Sequence, residues 1–394
     1  MSRTYRIATI PGDGIGKEVL PAALQVLDAA GKRFEFSIVA TEFPWGCNYY
    51  LETGRMMAED GLAQMAGFDA LFLGAVGDPA RVPDHVSLRG LLIAIRQGFD
   101  QYVNLRPIRI LPGIPGPLRD KGPDDVDILC VRENSEGEYA GLGGRFKRGT
   151  PDEVAEQTAV FTRKGTERIL RYAFEQARNR PRKRLASATK SNACQHSMVF
   201  WDEMTDLVAA DYPDVEVKRY HVDALAARMI THPETLDVVV ASNLFGDILT
   251  DLGGALQGSL GLPASANLDP ERRFPSMFEP VHGSAPDIAG KGIANPLAAV
   301  WAGSMLLGHL GEREAADAVM AALEYVAAAG DVRTPDLGGR HGTSDVASAL
   351  ISHLGDSPAA SSSTPGTSAP AAGTALQAPQ HGAQAETATP LRSS

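Results

Sequence analysis

The chain has 394 residues, 44% of them hydrophobic and 22% charged, an ordinary globular composition with room for two or three domains and a substantial core. A formal net charge of −11 argues against nucleic acid or an anionic membrane as the main partner, so an anionic substrate must be met by a local basic pocket. Three widely spaced cysteines, Cys47, Cys130 and Cys194, form no C-x-x-C motif, no apolar signal region opens the chain and no apolar run reaches membrane length; the expected location is the cytoplasm.

Taken in order, "YRIATI" reads as a strand and runs into "IPGDGIGKEVL", which opens the helix "GKEVLPAALQVLDAAGK". This glycine loop misses the Rossmann fingerprint: Gly12 and Gly14 are followed by Lys17 at the third position, and Gly16 is out of register. The plain reading is a turn tight enough to need glycine. "ALFLGAV" is a second strand. "IRQGFDQYVNLRPIRI" then carries Arg96 and Arg106, and the Pro/Gly-rich "RILPGIPGPLRDKGPDD" is a candidate domain crossing. "VDILCVRE" is a strand with Arg132 near its end, and the loop after it leads to Tyr139.

The second half alternates in the same way. The helix "GTERILRYAFEQARN" precedes the strand "RLASATK", which ends at Lys190, and "QHSMVFWDEMTDLVAA" is again helical. "VKRYHV" is a strand that gives way to a helix at Asp223, and "LDVVVAS" is a strand leading into "NLFGDILTDLGG". Short apolar runs alternating with helical patterns imply an α/β fold with a largely parallel sheet. From about Gly355 the chain is rich in Ala, Ser, Thr, Pro and Gly and has no aromatics, so residues 356–394 are expected to be disordered, with a docking tail as the functional alternative.

Chemistry concentrates at a few positions. Asp247 and Asp251 stand four apart, on one face if the stretch is helical, in an apolar setting where like charges repel. Hard divalent cations take several oxygen ligands, so convergence of this pair with Asp223 would make a metal site; otherwise the pair is a solvated helix face and Asp223 an N-cap. Guanidinium groups such as Arg96, Arg106 and Arg132 suit planar carboxylates through paired N–H···O bonds. Lys190 at a strand terminus becomes a general base only in a pocket that lowers its pKa.

These segments together resemble the isocitrate/isopropylmalate dehydrogenase family, the metal-dependent β-decarboxylating dehydrogenases. The motifs that carry the resemblance are "NLRP", "VRENSEGEYAG", "ATKSNA", "YHVDALAARMI", "NLFGDILTDLGGAL" and "FEPVHGSAPDIAGKGIANP", in one order over all but the tail. The resemblance implies a two-domain isopropylmalate-dehydrogenase-like fold rather than a Rossmann fold. Residues 1–104 and 262–355 would form the cofactor side, and 105–261 the substrate, metal and dimerisation domain. It implies Asp247 and Asp251 from one subunit and Asp223 from its neighbour as Mg²⁺ or Mn²⁺ ligands, with K⁺ as a further ion left open. Arg96, Arg106 and Arg132 would clamp substrate carboxylates, Lys190 from the partner chain would be the base, and Tyr139 the acid. The site would form only in a homodimer, with tetramers left open.

Asp287 followed by Ile288 resembles the NAD pattern, since a carboxylate accepts hydrogen bonds from ribose hydroxyls and repels a 2′-phosphate. Glu279, His282, Gly283, Ser284, Ala285 and Asn295 would line the same cofactor site, and Asn192 would approach the nicotinamide end. For the substrate, Gly90 and Leu92 lack the serine and asparagine of isocitrate-specific relatives. "TEFPWGCNYYLETGRMMAEDGL", "DHVSL" and "FDQYVNLRP" resemble the tartrate/D-malate branch more than the 3-isopropylmalate branch, whose apolar pair Leu92 and Ile93 would match. Arg89 departs from both branches and either reaches a substrate oxygen or lies on the surface. The expected activity is NAD- and metal-dependent oxidative decarboxylation of a small 2-hydroxy diacid, D-malate or tartrate first and 3-isopropylmalate second. A silent regulatory subunit is the reading of another class, and it predicts losses among Lys190, Tyr139 and the aspartates, all of which are present.

Overall fold

The computed structural model describes residues 3–356, so the expectation of a disordered tail lies outside the described residues. Twelve strands are seen among these: β1 (Arg3–Gly12), β2 (Phe36–Glu42), β3 (Ala70–Ala75), β4 (Val103–Arg109), β5 (Asp127–Glu133), β6 (Gly137–Phe146), β7 (Val154–Val160), β8 (Arg184–Thr189), β9 (Glu216–His221), β10 (Val238–Ala241), β11 (Ala264–Leu268) and β12 (Ser276–Pro280). Ten of them form one sheet in the order β2-β1-β3-β12-β11-β4-β5-β10-β8-β9, and β6 pairs with β7 in a separate two-stranded sheet. The outer pairs are parallel, as the alternation of strands and helices implies. At the centre the direction reverses: β11 runs antiparallel to both β12 and β4, and β4 antiparallel to β5.

One face of this sheet is covered end to end. Val103 and Leu105 of β4, Leu129 and Val131 of β5, Ala264, Ala266 and Leu268 of β11 and Phe278 of β12 share a single apolar core with the helices Gly16–Phe34, Arg163–Arg178 and Leu297–Leu310. The other face carries two separate cores. One holds Ile108, Ile128, Cys130, Val239 and Leu249, and the other Ala8, Leu71, Leu91, Ile95 and Met277. Side chains alternate faces along a strand, so Asn104, Arg106, Arg132, Ser265, Asn267 and Glu279 all point to this second face. They make a polar stripe between the two smaller cores, and that stripe is where the site lies.

The glycine loop after β1 is the tight turn its sequence suggested. Gly14 has φ 51°, and a Cβ there would stand 1.9 Å from the Ser284 carbonyl oxygen, while Ile15 N donates to that oxygen at 2.8 Å. The turn is thus pinned to the loop that follows β12. One local expectation changes. Tyr139 lies on β6, not in a loop; the hairpin has exposed residues along both strands, so no apolar alternation marks it. The helical run before Arg96 contains a π-helical turn, Leu88–Ile93, between the α-helical segments Asp84–Ser87 and Ala94–Gly98.

Candidate active site

The helix Asn243–Leu256 starts at Ser242, whose hydroxyl accepts from Phe245 N, and it lies close to the strands beneath it through glycines. A Cβ on Gly246 would stand 2.5 Å from Arg132 Cγ, and one on Gly253 would stand 2.4 Å from Ile108 Cδ1. The glycine-rich stretch is therefore a packing surface, and it aims the opposite edge of the helix at solvent. Asp247 and Asp251 occupy that edge: the Asp247 side chain is 48% exposed and Asp251 is exposed. The apolar setting read from their neighbours belongs to the other side of the helix.

Beneath Asp247 the arginines converge. Arg132 places Nη1 3.2 Å from Asp247 Oδ1, donates from Nη2 to the Tyr139 hydroxyl at 2.5 Å, and donates from Nε to the Asn243 carbonyl at 2.8 Å. Arg106 reaches the same Asp247 oxygen at 3.5 Å and donates to Thr250 Oγ1 at 2.6 Å. Both guanidinium groups are buried, as is Arg96. Burial, and then the neighbouring Arg132 charge, push the Arg106 pKa down to about 10, so the group stays cationic near neutrality. Arg96 is paired with Glu279 at 2.7 Å. Two residues assigned separately to substrate and cofactor are thus partners in one buried ion pair.

Asp251 carries the opposite signature to a paired carboxylate. Partial desolvation by the protein around this exposed carboxyl, and then the Asp247 charge, raise its pKa, and among the described residues it has no hydrogen bond or ion pair. Two acidic oxygen donors one helical turn apart, one of them uncompensated, suit a hard divalent cation. The third expected ligand is elsewhere. Asp223, in the first turn of the helix Val222–Thr231, accepts from Lys190 Nζ at 2.7 Å, and this bond foremost lowers its pKa. It does not cap that helix, whose N-cap is His221. Among the described residues of one chain, no three His, Cys, Asp or Glu side chains form a metal-binding group. The site residues fall into two sets, Arg96–Arg106–Arg132–Tyr139–Asp247–Asp251 and Lys190–Asp223, the latter at the ends of β8 and β9 with Lys190 half-buried, Asp223 exposed and Asn192 exposed two residues beyond Lys190.

The loop after β12 is shaped by partners far away in sequence. Glu18, in the first turn of the helix after the glycine loop, accepts from Gly290 N at 2.6 Å and Gly292 N at 2.8 Å. Asn295 donates to Asp336 at 2.9 Å, and Ala285 sits at φ 39°. Ser284 is buried, whereas Gly283 and Asp287 are exposed and Ile288 is half-buried. His282 Nε2 is buried without a partner among the described residues, and burial lowers the pKa of this imidazole. An orphaned nitrogen beside an open glycine, on a loop that also carries an exposed carboxylate, suits a bound nucleotide.

Leu92 is half-buried against the core that holds Leu91 and Ile95. Arg89 is exposed, has no partner among the described residues, and lies against Gly141 of the strand that bears Tyr139. Sequence reading overlooked Glu18, Asn243, Thr250 and Asn267. Glu18 and Thr250 sit beside residues that were singled out, but their partners are set only by folding.

A family model described as isocitrate/isopropylmalate dehydrogenase matches residues 6–350. The D-malate dehydrogenase [decarboxylating] of Escherichia coli (strain K12) is 54% identical over 356 residues, 89% of this chain and 98% of that protein. A probable tartrate dehydrogenase/decarboxylase of Agrobacterium vitis is 56% identical over 356 residues, 90% of this chain and 99% of that one. Among solved structures, isocitrate dehydrogenase from Methylococcus capsulatus superposes with a TM-score of 0.81 at 37% identity, covering 89% of this chain and 99% of that one. With the fold, the arginine–aspartate cluster and these likenesses in agreement, the chain belongs to the isocitrate/isopropylmalate dehydrogenase family.

Proposed function

We propose that the chain catalyses NAD- and divalent-metal-dependent oxidative decarboxylation of a small 2-hydroxy diacid, D-malate first (to pyruvate and CO₂) and tartrate beside it. The observation that carries this reading is the convergence of buried Arg106 and Arg132 with Tyr139 on Asp247. The names borne by relatives at 54–56% identity support the substrate class.

Asp247 and Asp251, with Asp223 from a second copy of the chain, would hold Mg²⁺ or Mn²⁺, and residues 279–295 would hold NAD with Asn192 toward its nicotinamide. When bound, the metal supplies charge stabilisation at the substrate's oxygens and NAD accepts the hydride. Arg96, Arg106 and Arg132 bind and orient the carboxylates in surroundings where water competes weakly. Lys190 of the second copy takes the proton of the C2 hydroxyl. The Tyr139 oxygen accepts from Arg132, which leaves its own hydrogen free to be delivered to the carbon that loses CO₂.

A homodimer with shared sites is part of the proposal. It is supported by the separation of Lys190–Asp223 from the arginine cluster and by exposed apolar Ile230, Leu244 and Ile248 on the two helices that carry Asp223, Asp247 and Asp251. The division at 104/105 and 261/262 and a cytoplasmic setting belong to the same reading, the free thiols of Cys47, Cys130 and Cys194 suiting the latter.

NADH absorbance with purified protein, Mn²⁺ and a panel of D-malate, L-tartrate, meso-tartrate, 3-isopropylmalate and isocitrate tests the reading. Turnover of D-malate or a tartrate is expected; turnover of isocitrate alone, or of nothing, refutes it. Asp251→Asn should abolish metal-dependent activity and weaken Mn²⁺ binding in calorimetry while the dimer stays intact.

A further inference from the structure

We propose that Asn267 is a positioning residue for substrate binding, holding the Glu279 carboxylate against Arg96 so that Arg96 is aimed at a substrate carboxylate. This rests on the reading that Arg96 binds substrate. Glu279 Oε1 accepts two hydrogen bonds, one from Arg96 Nη2 and one from Asn267 Nδ2, each 2.7 Å. The Asn267 oxygen accepts from the side-chain amides of Asn104 and Asn134, each at 2.9 Å. Two amide donors on one oxygen decide which way the Asn267 amide faces, so its NH₂ must point at Glu279. The two donors are themselves anchored: Asn104 also donates to Ser265 Oγ at 2.7 Å, and Asn134 to the Gln101 carbonyl at 3.0 Å. Asn267 stands opposite Asn104 in the β11–β4 pair and opposite Met277 in the β11–β12 pair, so the chain of amides crosses the reversed strands at the centre of the sheet.

This arrangement is poor for stability alone. Asn104, Asn134, Gln101 and Asn267 are fully buried, and the side-chain oxygens of the first three have no partner among the described residues. Each such orphan costs stability, whereas apolar residues of similar size would cost nothing of the kind. What the network provides is direction. Among the described residues the Arg96 side chain makes one hydrogen bond, to Glu279, and its buried Nε has no partner. A guanidinium held at one corner, with other N–H groups unspent, is set to receive an anionic ligand. Release Asn267, and both Glu279 and Arg96 gain freedom that binding must then remove.

The experiment is a double-mutant cycle on D-malate KM at saturating NAD and Mn²⁺, with Tm measured for every variant. Arg96→Ala is expected to raise KM at least a hundredfold. Asn267→Ala is expected to raise it about tenfold with kcat within threefold, and the double variant should be no worse than Arg96→Ala alone. Asn267→Asp keeps the size and both accepted bonds but sets a like charge against Glu279; it should raise KM as well, and it carries the test if the alanine variant does not fold. KM within twofold for the Asn267 variants, or effects that add in the double variant, would overturn the proposal, since a merely structural asparagine lowers Tm and leaves KM alone. An unchanged KM for Arg96→Ala would instead refute the assignment of Arg96 to substrate.

Discussion

Gly246 offers a direct test of how the helix that carries Asp247 and Asp251 and the arginine cluster depend on each other. Replacing it by alanine places a methyl 2.5 Å from Arg132 Cγ and 2.9 Å from Arg132 Cβ, against an ordinary carbon–carbon contact of about 3.5–4.0 Å. The overlap is about 1 Å. Overpacking of this kind costs about 1–3 kcal/mol, offset by up to about 1 kcal/mol from the better helix propensity of alanine. The net loss should be about 1 kcal/mol, seen as a drop in Tm of about 2 °C. Activity should suffer far more. Arg132 holds both Tyr139 and Asp247, and a displacement of about 1 Å at a positioning group can cost about a hundredfold in rate. Gly253→Ala is the control on the same helix: its methyl would stand 2.4 Å from Ile108 Cδ1, the mobile end of an apolar side chain. Melting curves and kcat/KM for D-malate on both variants decide the matter. Gly246→Ala should lose about two orders of magnitude in kcat/KM, and Gly253→Ala only stability. Equal activity losses in the two, or none in Gly246→Ala, would refute the coupling.

Tyr139→Phe should lower kcat about a hundredfold through loss of the proton donor, while calorimetry shows NADH and Mn²⁺ binding unchanged. Glu18→Gln removes the charge that accepts from Gly290 N and Gly292 N; the KM for NAD should rise several-fold and that for D-malate should stay put. His309 gives a pH signature. Burial, and then Arg272, push its pKa from 6.5 down to about 4, so the unfolded chain binds this proton at a higher pH than the folded one. Stability therefore falls as pH drops from about 6.5 to about 4, by about 3 kcal/mol in all. Denaturant titrations of His309→Gln across that window should show a flatter profile, and an unchanged slope would contradict the assignment.

Much of the site was legible because its elements announce themselves locally. "LDVVVAS" and "NLFGDILTDLGG" read as strand and helix, and they fold as β10 and the helix Asn243–Leu256 with both aspartates on one edge. "RLASATK" places Lys190 one residue beyond β8. The hairpin bearing Tyr139 was not legible, because it pairs with itself and is exposed along most of both strands, and the π turn at Leu88–Ile93 carries no side-chain period of its own.

By itself, then, the sequence determined the α/β class, the glycine turn, the helix that presents two carboxylates and the family motifs, since these depend on neighbours within a few residues. Tertiary structure alone decided that Arg106 and Arg132 are buried on one stripe between two cores, and that Arg96, on a helix, is tied to Glu279 of that stripe across 183 positions. It also decided that the aspartates face outward while glycines face in. The reason is pairing across the sheet: which of two alternating faces a strand residue takes is local, but what it meets there depends on the order and direction of strands far apart in the chain.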